Sequence, residues 1–234
     1  MYSDVFCKVY NEFGWNYYPE AFGVHLLLWM QEKQFHPKSS LDLACGTGIL
    51  CQILHKLGLD VWGMDFSEGM IAIARENNPS IHYDVADMIL YRPDKTFDLV
   101  TCTGDALNHI LNLSDVEKIF RNVYAYLNPG GYFIFDILNE TEVSPCEPFD
   151  VDFSETVRAR FQITREDSGI IQLRTKVFEN NAFQFEEVIT EIIHDPDAIC
   201  ALLRNCGFTV ERLDNQLTAL ADHRSTTWYV IARK

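Results

Sequence analysis

Two glycines one residue apart, Gly46 and Gly48, and two acids beyond them, Asp65 and Asp87, are the residues whose types and spacing can hold a ligand. The glycines lie in Leu41-Asp42-Leu43-Ala44-Cys45-Gly46-Thr47-Gly48-Ile49-Leu50, an apolar run, then small residues, then the start of a periodic apolar pattern. This reads as a buried strand turning sharply into a helix. Glycine has no Cβ, so such a turn can take unusual dihedrals and a ligand can approach its backbone closely. The helix that follows aims its free N–H groups back at the turn. Alone, the turn is also compatible with a tight βα connection that binds nothing. Asp65 stands about twenty residues further on, at the tip of the next expected strand, where an acid can accept from both hydroxyls of a ribose. Phe66 beside it can cover a purine face. Asp87, at the tip of a third strand, can accept from an exocyclic amine on that purine, and Met88 can pack on the same ring. Each acid alone is more often a helix or turn cap. Together, each just past its own strand, they form a nucleotide-cradling set.

The elements that must position these residues alternate. After the first strand and its helix, Gly58 marks the helix end, and Asp60 to Phe66 reads as a second strand. Ser67 suits the N-cap of a helix running through Met70, Ile71, Ile73 and Ala74, stopped by Pro79. Ile81 to Val85 and Phe97 to Thr103 are further strands, and Ser114 is expected to cap a helix with apolar positions Val116, Ile119, Phe120, Val123 and Leu127. Asn128-Pro129-Gly130-Gly131 ends that helix before a fifth strand, Tyr132 to Leu138. Strand–helix alternation with short connections implies a parallel sheet covered on both faces, with ligands beyond the carboxyl ends of its strands.

The first 35 residues carry two expected helical segments joined around Gly14 to Tyr18. Pro19 suits the first turn of the second segment, and Phe22, Leu26, Trp29 and Met30 recur at helical spacing. The aromatic-rich joint has the composition of a lid. After Leu138 the rhythm breaks. Residues 139–156 read as an exposed acidic excursion holding Pro145 and Pro148. Val157 to Ile163, Leu173 to Val177 and Phe183 to Ile193 then read as a three-stranded antiparallel meander, turning at Asp167-Ser168-Gly169 and Asn180-Asn181. Arg158, Arg160, Arg174 and Lys176 are expected to pair across strands with Glu186 or its neighbours. Asp195-Pro196 opens a helix ended by Gly207, and Phe208 to Leu213 and Thr226 to Ala232 close the chain as an antiparallel pair. The expected organisation is thus a ligand-binding domain of residues 1–138 and 195–234, with residues 139–194 inserted as a β subdomain.

Composition narrows the function classes. The chain has 234 residues, 47% hydrophobic and 23% charged, the balance of a globular protein. No apolar run approaches the roughly 20 residues needed to span a bilayer, and Met1-Tyr2-Ser3-Asp4 does not read as a secretion signal. A cytoplasmic location is expected. The seven cysteines are scattered, without a C-x-x-C pair, and read as reduced thiols; the seven histidines form no ligand motif, so no metal site is expected. A net charge of −15 without a basic stripe argues against nucleic-acid substrates.

The ordered motifs Leu41–Gly48, Gly63-Met64-Asp65-Phe66-Ser67, Ala86-Asp87-Met88, Phe97-Asp98-Leu99-Val100 and Leu127-Asn128-Pro129-Gly130-Gly131 together resemble the class I S-adenosylmethionine-dependent methyltransferases. The resemblance covers residues 38–138 strongly and the closing strand pair less so. It looks nearest to small bacterial members with a β-meander after the fifth strand, a layout shared by sugar-amine N-methyltransferases. It implies an α/β fold: a Rossmann-like, doubly wound seven-stranded sheet of order 3-2-1-4-5-7-6, its last strand antiparallel, with a helical lid and the meander added. It also implies S-adenosyl-L-methionine as cofactor, S-adenosyl-L-homocysteine as product and a small-molecule acceptor.

The resemblance assigns roles along the rim. Ala44, where many members have glycine, would with Gly46 and Gly48 offer backbone contact to the methionine part of the cofactor. Asp65 would hold the ribose, and Asp87 with Met88 the adenine; Phe66 and Met70 complete the set. Tyr10, in Val9-Tyr10-Asn11-Glu12-Phe13, matches a tyrosine that helps enclose the cofactor. Thr103 and Asp105 would face the methionine part or the acceptor. The reaction is an in-line displacement at an activated methyl group, so the protein mainly positions the acceptor and excludes water. Aromatic rings near the sulfonium are favourable through cation–π attraction. If a base takes the acceptor's proton, Asp105 and His109 are the candidates, although His109 can equally serve only to cap or pack a short helix. Two other readings stand beside this one: a nicotinamide-dependent oxidoreductase, and a non-catalytic S-adenosylmethionine-binding regulator. A final strand lying antiparallel beside the fifth tells against the oxidoreductase.

Overall fold

The computed structural model describes residues 3–138, 144–214 and 227–234. Five strands build the parallel part of the main sheet: β1 (Ser39–Leu43), β2 (Asp60–Asp65), β3 (His82–Val85), β4 (Phe97–Cys102) and β5 (Leu127–Leu138). The second sheet holds β6 (Cys146–Asp152), β7 (Val157–Arg165), β8 (Ile170–Glu179) and β9 (Ala182–Ile192), and β10 (Thr209–Asp214) and β11 (Thr227–Arg233) complete the first. The main sheet has the order β3-β2-β1-β4-β5-β11-β10, with β11 antiparallel to both β5 and β10. This is the strand order the resemblance implied, and the reversed strand beside β5 is the feature that tells against the oxidoreductase.

Parallel strands covered on both faces are buried along their length and mostly apolar, and polar residues there must find partners inside. All five residues of β1 are buried, and β5 divides its run between two cores. Phe133, Phe135 and Ile137 face one side with Val116, Ile119 and Phe120 of α5 (Leu113–Tyr126) and Ile199 and Leu203 of α6 (Pro196–Asn205). Tyr132 and Ile134 face the other, with Leu50 and Leu54 of α3 (Ile49–Lys56), Ile71 of α4 (Glu68–Asn77) and Phe22, Leu26 and Trp29 of α2 (Tyr17–Glu32). Phe22 and Leu26 are fully buried, which stabilises the docking of α2 by about 1.5–3 kcal/mol each.

The caps mostly follow the sequence. Ser67 Oγ accepts from the Met70 N–H, and the Asp195 side chain accepts from Asp197 N–H with Pro196 opening α6. At α5 the cap is Asn112, not Ser114: Asn112 is extended and its Oδ1 accepts from Asp115 N–H at 2.9 Å, while Ser114 Oγ donates to the same oxygen.

The second sheet corrects the three-stranded expectation. It has four strands in the order β6-β7-β8-β9, all antiparallel. The extra strand, β6, comes from the stretch expected to be an exposed excursion. Pro148 is tolerated because β6 is an edge strand whose register shifts between Cys146 and Phe149. Its acids explain a second correction. Arg158 and Arg160 pair with Asp152 and Asp150 of β6, and Arg174 pairs with Glu186.

The N-terminal segment, α1 (Asp4–Val9) and the turn up to α2, lies between the two sheets. Phe13 packs with Ala159, Phe161 and Val177 of the second sheet. Thr47 Oγ1 donates to Asn11 Oδ1 at 3.0 Å, and Ser3 Oγ donates to Glu187 Oε2 at 2.6 Å. The segment is therefore a strap tied to the β1–α3 turn at one point and to β9 at another. The polar loop expected between the last two strands lies outside the described residues. Among the described residues no helix is long and apolar enough to cross a membrane.

Candidate active site

The rim of the parallel sheet carries the site because each strand ends there and the chain must turn away. After β1 the turn takes left-handed dihedrals at Ala44 (φ 55°), Gly46 (φ 53°) and Gly48 (φ 79°). The two glycines differ in purpose. A Cβ on Gly46 would meet nothing within 4 Å, whereas one on Gly48 would lie 2.6 Å from Tyr83 Oη. Gly46 therefore presents bare backbone to open space, and Gly48 lets α3 approach β3. Ala44 holds a conformation that costs a non-glycine residue about 1–3 kcal/mol, which the buried strand behind it sustains.

Asp65 ties the rim together. Its Oδ2 accepts from Gly46 N–H at 2.9 Å and its Oδ1 from Ser67 N–H at 2.8 Å. Burial raises its pKa, partly offset by these backbone donors. Asp87 Oδ1 accepts from Ile89 N–H at 2.8 Å, so this acid does cap its own turn.

A cavity of 470 Å³ opens here, within the range of about 300–1,000 Å³ typical of small-molecule and cofactor sites. Ala44, Gly46 and Asp65 line one part of it, and Asp87, Met88 and Met70 another. Tyr10, Phe66, Thr103 and His109 also line it. Gly48 and Asp105 do not. Phe66 is 53% exposed at its edge, open to a ring placed against it.

A second cavity of 570 Å³ adjoins the first between the rim and the inserted sheet. Tyr10, Trp15, Tyr18, Gly104 and Ile189 line both. Phe149, Phe153, Phe161 and Leu173 give the second an apolar wall, and Asp105 and Glu191 give it two carboxylates.

The two cavities meet around a polar network that sequence reasoning only half found. Asp136, fully buried on β5, accepts from Gly104 N–H at 3.0 Å and Asp105 N–H at 2.9 Å. Tyr18 Oη donates to the same carboxylate and lies 2.8 Å from Tyr229 Oη. Burial raises the pKa of Asp136 to about 6, and these donors hold it from rising further. Asp136 thereby fixes Asp105 in a left-handed conformation (φ 54°) at the cavity wall. His109 Nε2 stands 3.4 Å from Glu191 Oε1, and one ligand atom each from Asp105, His109 and Glu191 lie within 4.8 Å of one another. Burial raises Asp105, with Glu191 and Asp136 adding to it, raises Glu191 to about 7, and lowers His109. This is the one group of the described residues with a cation-ligating donor set, where the sequence suggested none.

Asp42, inside the buried run of β1, was also missed as a site residue. It lines the first cavity, accepts from Thr101 Oγ1 at 2.6 Å, and burial raises its pKa to about 7. Its signal was an acid where every neighbour is apolar. Asp136, flanked by Phe135 and Ile137, carried the same signal. Glu191 carried none, because acids are common on a half-exposed sheet.

The comparisons with known proteins agree with this geometry. Residues 41–131 match a family described as a methyltransferase domain. A putative methyltransferase of Geobacillus sp. (strain WCH70) is 36% identical over 221 residues, covering 84% of this chain and 85% of the relative. A crystal structure of an S-adenosylmethionine-dependent methyltransferase from Clostridium acetobutylicum ATCC 824 superposes with a TM-score of 0.83 at 22% identity, over 92% of this chain and 91% of that one. An amino pentose methyltransferase from Micromonospora echinaspora with bound S-adenosylmethionine does so at 0.78 and 21% identity, over 100% and 98%. Fold, glycine turn, rim acids and relatives converge on one conclusion: the chain belongs to the class I S-adenosylmethionine-dependent methyltransferases and uses S-adenosylmethionine as its methyl donor.

Proposed function

We propose that this enzyme methylates a nitrogen or oxygen nucleophile on a small molecule seated in the second cavity. The observation that carries the reading is the shared wall: five residues line both the rim cavity and the cavity under the inserted sheet. A methyl group held in the first can be met by a nucleophile held in the second across that shared wall. The Micromonospora echinaspora protein, whose described substrate is an amino pentose, supports an acceptor of this size.

Bound S-adenosylmethionine supplies a methyl group already activated by its sulfonium. The chain does the rest. Asp65, its second lone pairs free beyond the two backbone donors, accepts from ribose hydroxyls, and Gly46 lets the ligand approach the turn. Asp87 and Met88, with Phe66 and Met70, hold the adenine side. Asp42, buried beneath the turn, and Thr103 face the methionine part. Tyr10, held edge-on to Trp15 at 5.2 Å between centroids, closes the strap over the cavity and excludes water. Ordering the acceptor in line with the methyl group is the main source of rate, since no covalent intermediate with the chain is needed.

None of the seven cysteines is in a disulfide, which suits a reducing compartment and supports a cytoplasmic location. A net charge of −15 likewise favours a small acceptor over a polyanion. The test is transfer of labelled methyl from S-adenosylmethionine in a whole-cell extract, separated after the reaction on a small-molecule cut-off filter. Label in the small-molecule fraction supports the proposal; label only in nucleic acid or protein overturns it.

A further inference from the structure

The second cavity has a feature that its role as an acceptor site does not by itself require. Two carboxylates, Asp105 and Glu191, stand at its junction with the first cavity, and neither has a cationic partner of fixed charge. Glu191 is only 8% exposed. Its neighbour is the His109 imidazole at 3.4 Å, which burial biases toward its neutral form. The Asp105 carboxylate accepts no hydrogen bond from any described residue, and its backbone N–H is spent on Asp136. No lysine or arginine among the described residues lines either cavity. A carboxylate withdrawn from water without a counter-charge is costly: it takes up a proton, as the raised pKa of both groups records, or it is completed by a cation. Most of the remaining wall is apolar, with Phe149, Phe153, Phe161, Leu173 and the Trp15 ring, and the tyrosines Tyr10, Tyr17 and Tyr18 and Thr227 add only neutral hydroxyls. The chain therefore holds Asp105 in a left-handed conformation, through Asp136 and Tyr18, and so places a second carboxyl beside Glu191 in a largely apolar space.

We infer that the acceptor is a protonated amine on an apolar body, its ammonium received between Asp105 and Glu191. The inference rests on the reading of the second cavity as the acceptor site, and narrows nitrogen or oxygen to nitrogen. One ammonium proton passes to a carboxylate of the pair, leaving a neutral amine. The nitrogen lone pair then forms the new N–C bond as the methyl carbon's bond to sulfur breaks, and sulfur keeps that electron pair. The methylated product retains its remaining proton and leaves as an ammonium. The carboxylate returns its proton to solvent through His109, whose side chain is 32% exposed.

The same donors could instead hold a divalent metal ion, and one experiment separates the two. Labelled S-adenosylmethionine is supplied to the purified protein with a filtered metabolite extract, untreated or with its amines blocked by acetic anhydride. Products are separated on a cation exchanger at pH 5. The expected result is label retained on the exchanger and lost after acetylation. Label in neutral or acidic products that survives acetylation overturns the inference and leaves the small-molecule reading standing; no label from either extract overturns both. Pretreatment with EDTA is expected to change nothing. Loss of transfer restored by Mg²⁺, Mn²⁺ or Zn²⁺ would assign the carboxylates to a metal and overturn the inference. The variant Glu191→Gln, alone and with Asp105→Asn, is expected to reduce amine methylation about 100-fold while keeping the thermal shift given by S-adenosylhomocysteine. An unchanged transfer rate in the double variant overturns the proposed role of the pair.

Discussion

The Asp65 carboxylate accepts from the backbone N–H of Gly46 at 2.9 Å, so the acid that ends β2 and the turn that follows β1 form one construction. The acid proposed to receive the ribose also holds the shape of the turn beside it. On that proposal, loss of Asp65 removes a ligand contact and a structural one together.

Asp65→Ala is expected to abolish the rise in melting temperature that S-adenosylmethionine and S-adenosylhomocysteine give the native protein, while NAD and NADP give none to either. Asp65→Asn, which keeps an acceptor oxygen for one N–H, should retain more of its unliganded stability than Asp65→Ala. A ligand shift undiminished in the alanine variant would refute the ribose assignment. The measurement is a thermal melt with and without ligand.

The glycines of the turn predict opposite defects. Gly48→Ala places a Cβ 2.6 Å from Tyr83 Oη at φ 79°, and should destabilise the unliganded protein by about 1–3 kcal/mol. Gly46→Ala meets no atom within 4 Å, and Ala44 shows that alanine can hold a similar φ in the same turn. Its stability loss should be the smaller one, and its methyl-donor affinity should fall because the new methyl group enters the cavity. Denaturant unfolding and calorimetric titration of the two variants check this.

Tyr18→Phe removes the hydroxyl that donates to Asp136 and lies against Tyr229 Oη. A buried carboxylate losing one of three donors should cost about 1–3 kcal/mol of stability. Transfer should fall as well, because Asp136 loses part of its hold and Asp105 with it. Equal activity at a lowered melting temperature would show that the network supports the fold alone.

The pH dependence has a defined sign. Burial raises the Glu191 carboxyl to about 7 and raises Asp105, and the groups facing Glu191 are Asp105, His109 and Asp136. A carboxylate that takes the acceptor's proton must be ionised, so kcat/KM should rise with pH through about 7 as a property of the coupled pair. Stability should move the other way. An acid whose pKa is raised by folding contributes stability that is complete below its unfolded range and is lost as pH rises through its folded value. Glu191→Gln should flatten both profiles. Initial rates and melting temperatures between pH 5.5 and 8.5 are the readout.

The local pattern of the chain determined the cofactor half of this protein. A βα alternation forces the chain to turn at every strand end, and a parallel sheet puts all those ends on one rim. Gly46, Asp65 and Asp87 could therefore be placed together from order alone, because each is a fixed step beyond its own strand. Asp42 and Asp136 were visible as acids inside apolar runs, yet what they hold depends on residues distant in the chain, Thr101 across the sheet on β4 and Tyr18 on α2. The tertiary structure decided the half proposed to take the acceptor. Period-two patterning marks a strand without saying which face it turns inward, so Glu191 looked like any acid on a half-exposed sheet. Only the docking of β9 against the segment after β4 brings it within reach of Asp105 and His109. The same cause hid β6, whose Pro148 reads as a break until Arg158 and Arg160 of β7 supply partners for Asp152 and Asp150. Sequence-local geometry built the cradle, and long-range packing of the inserted sheet chose what faces it.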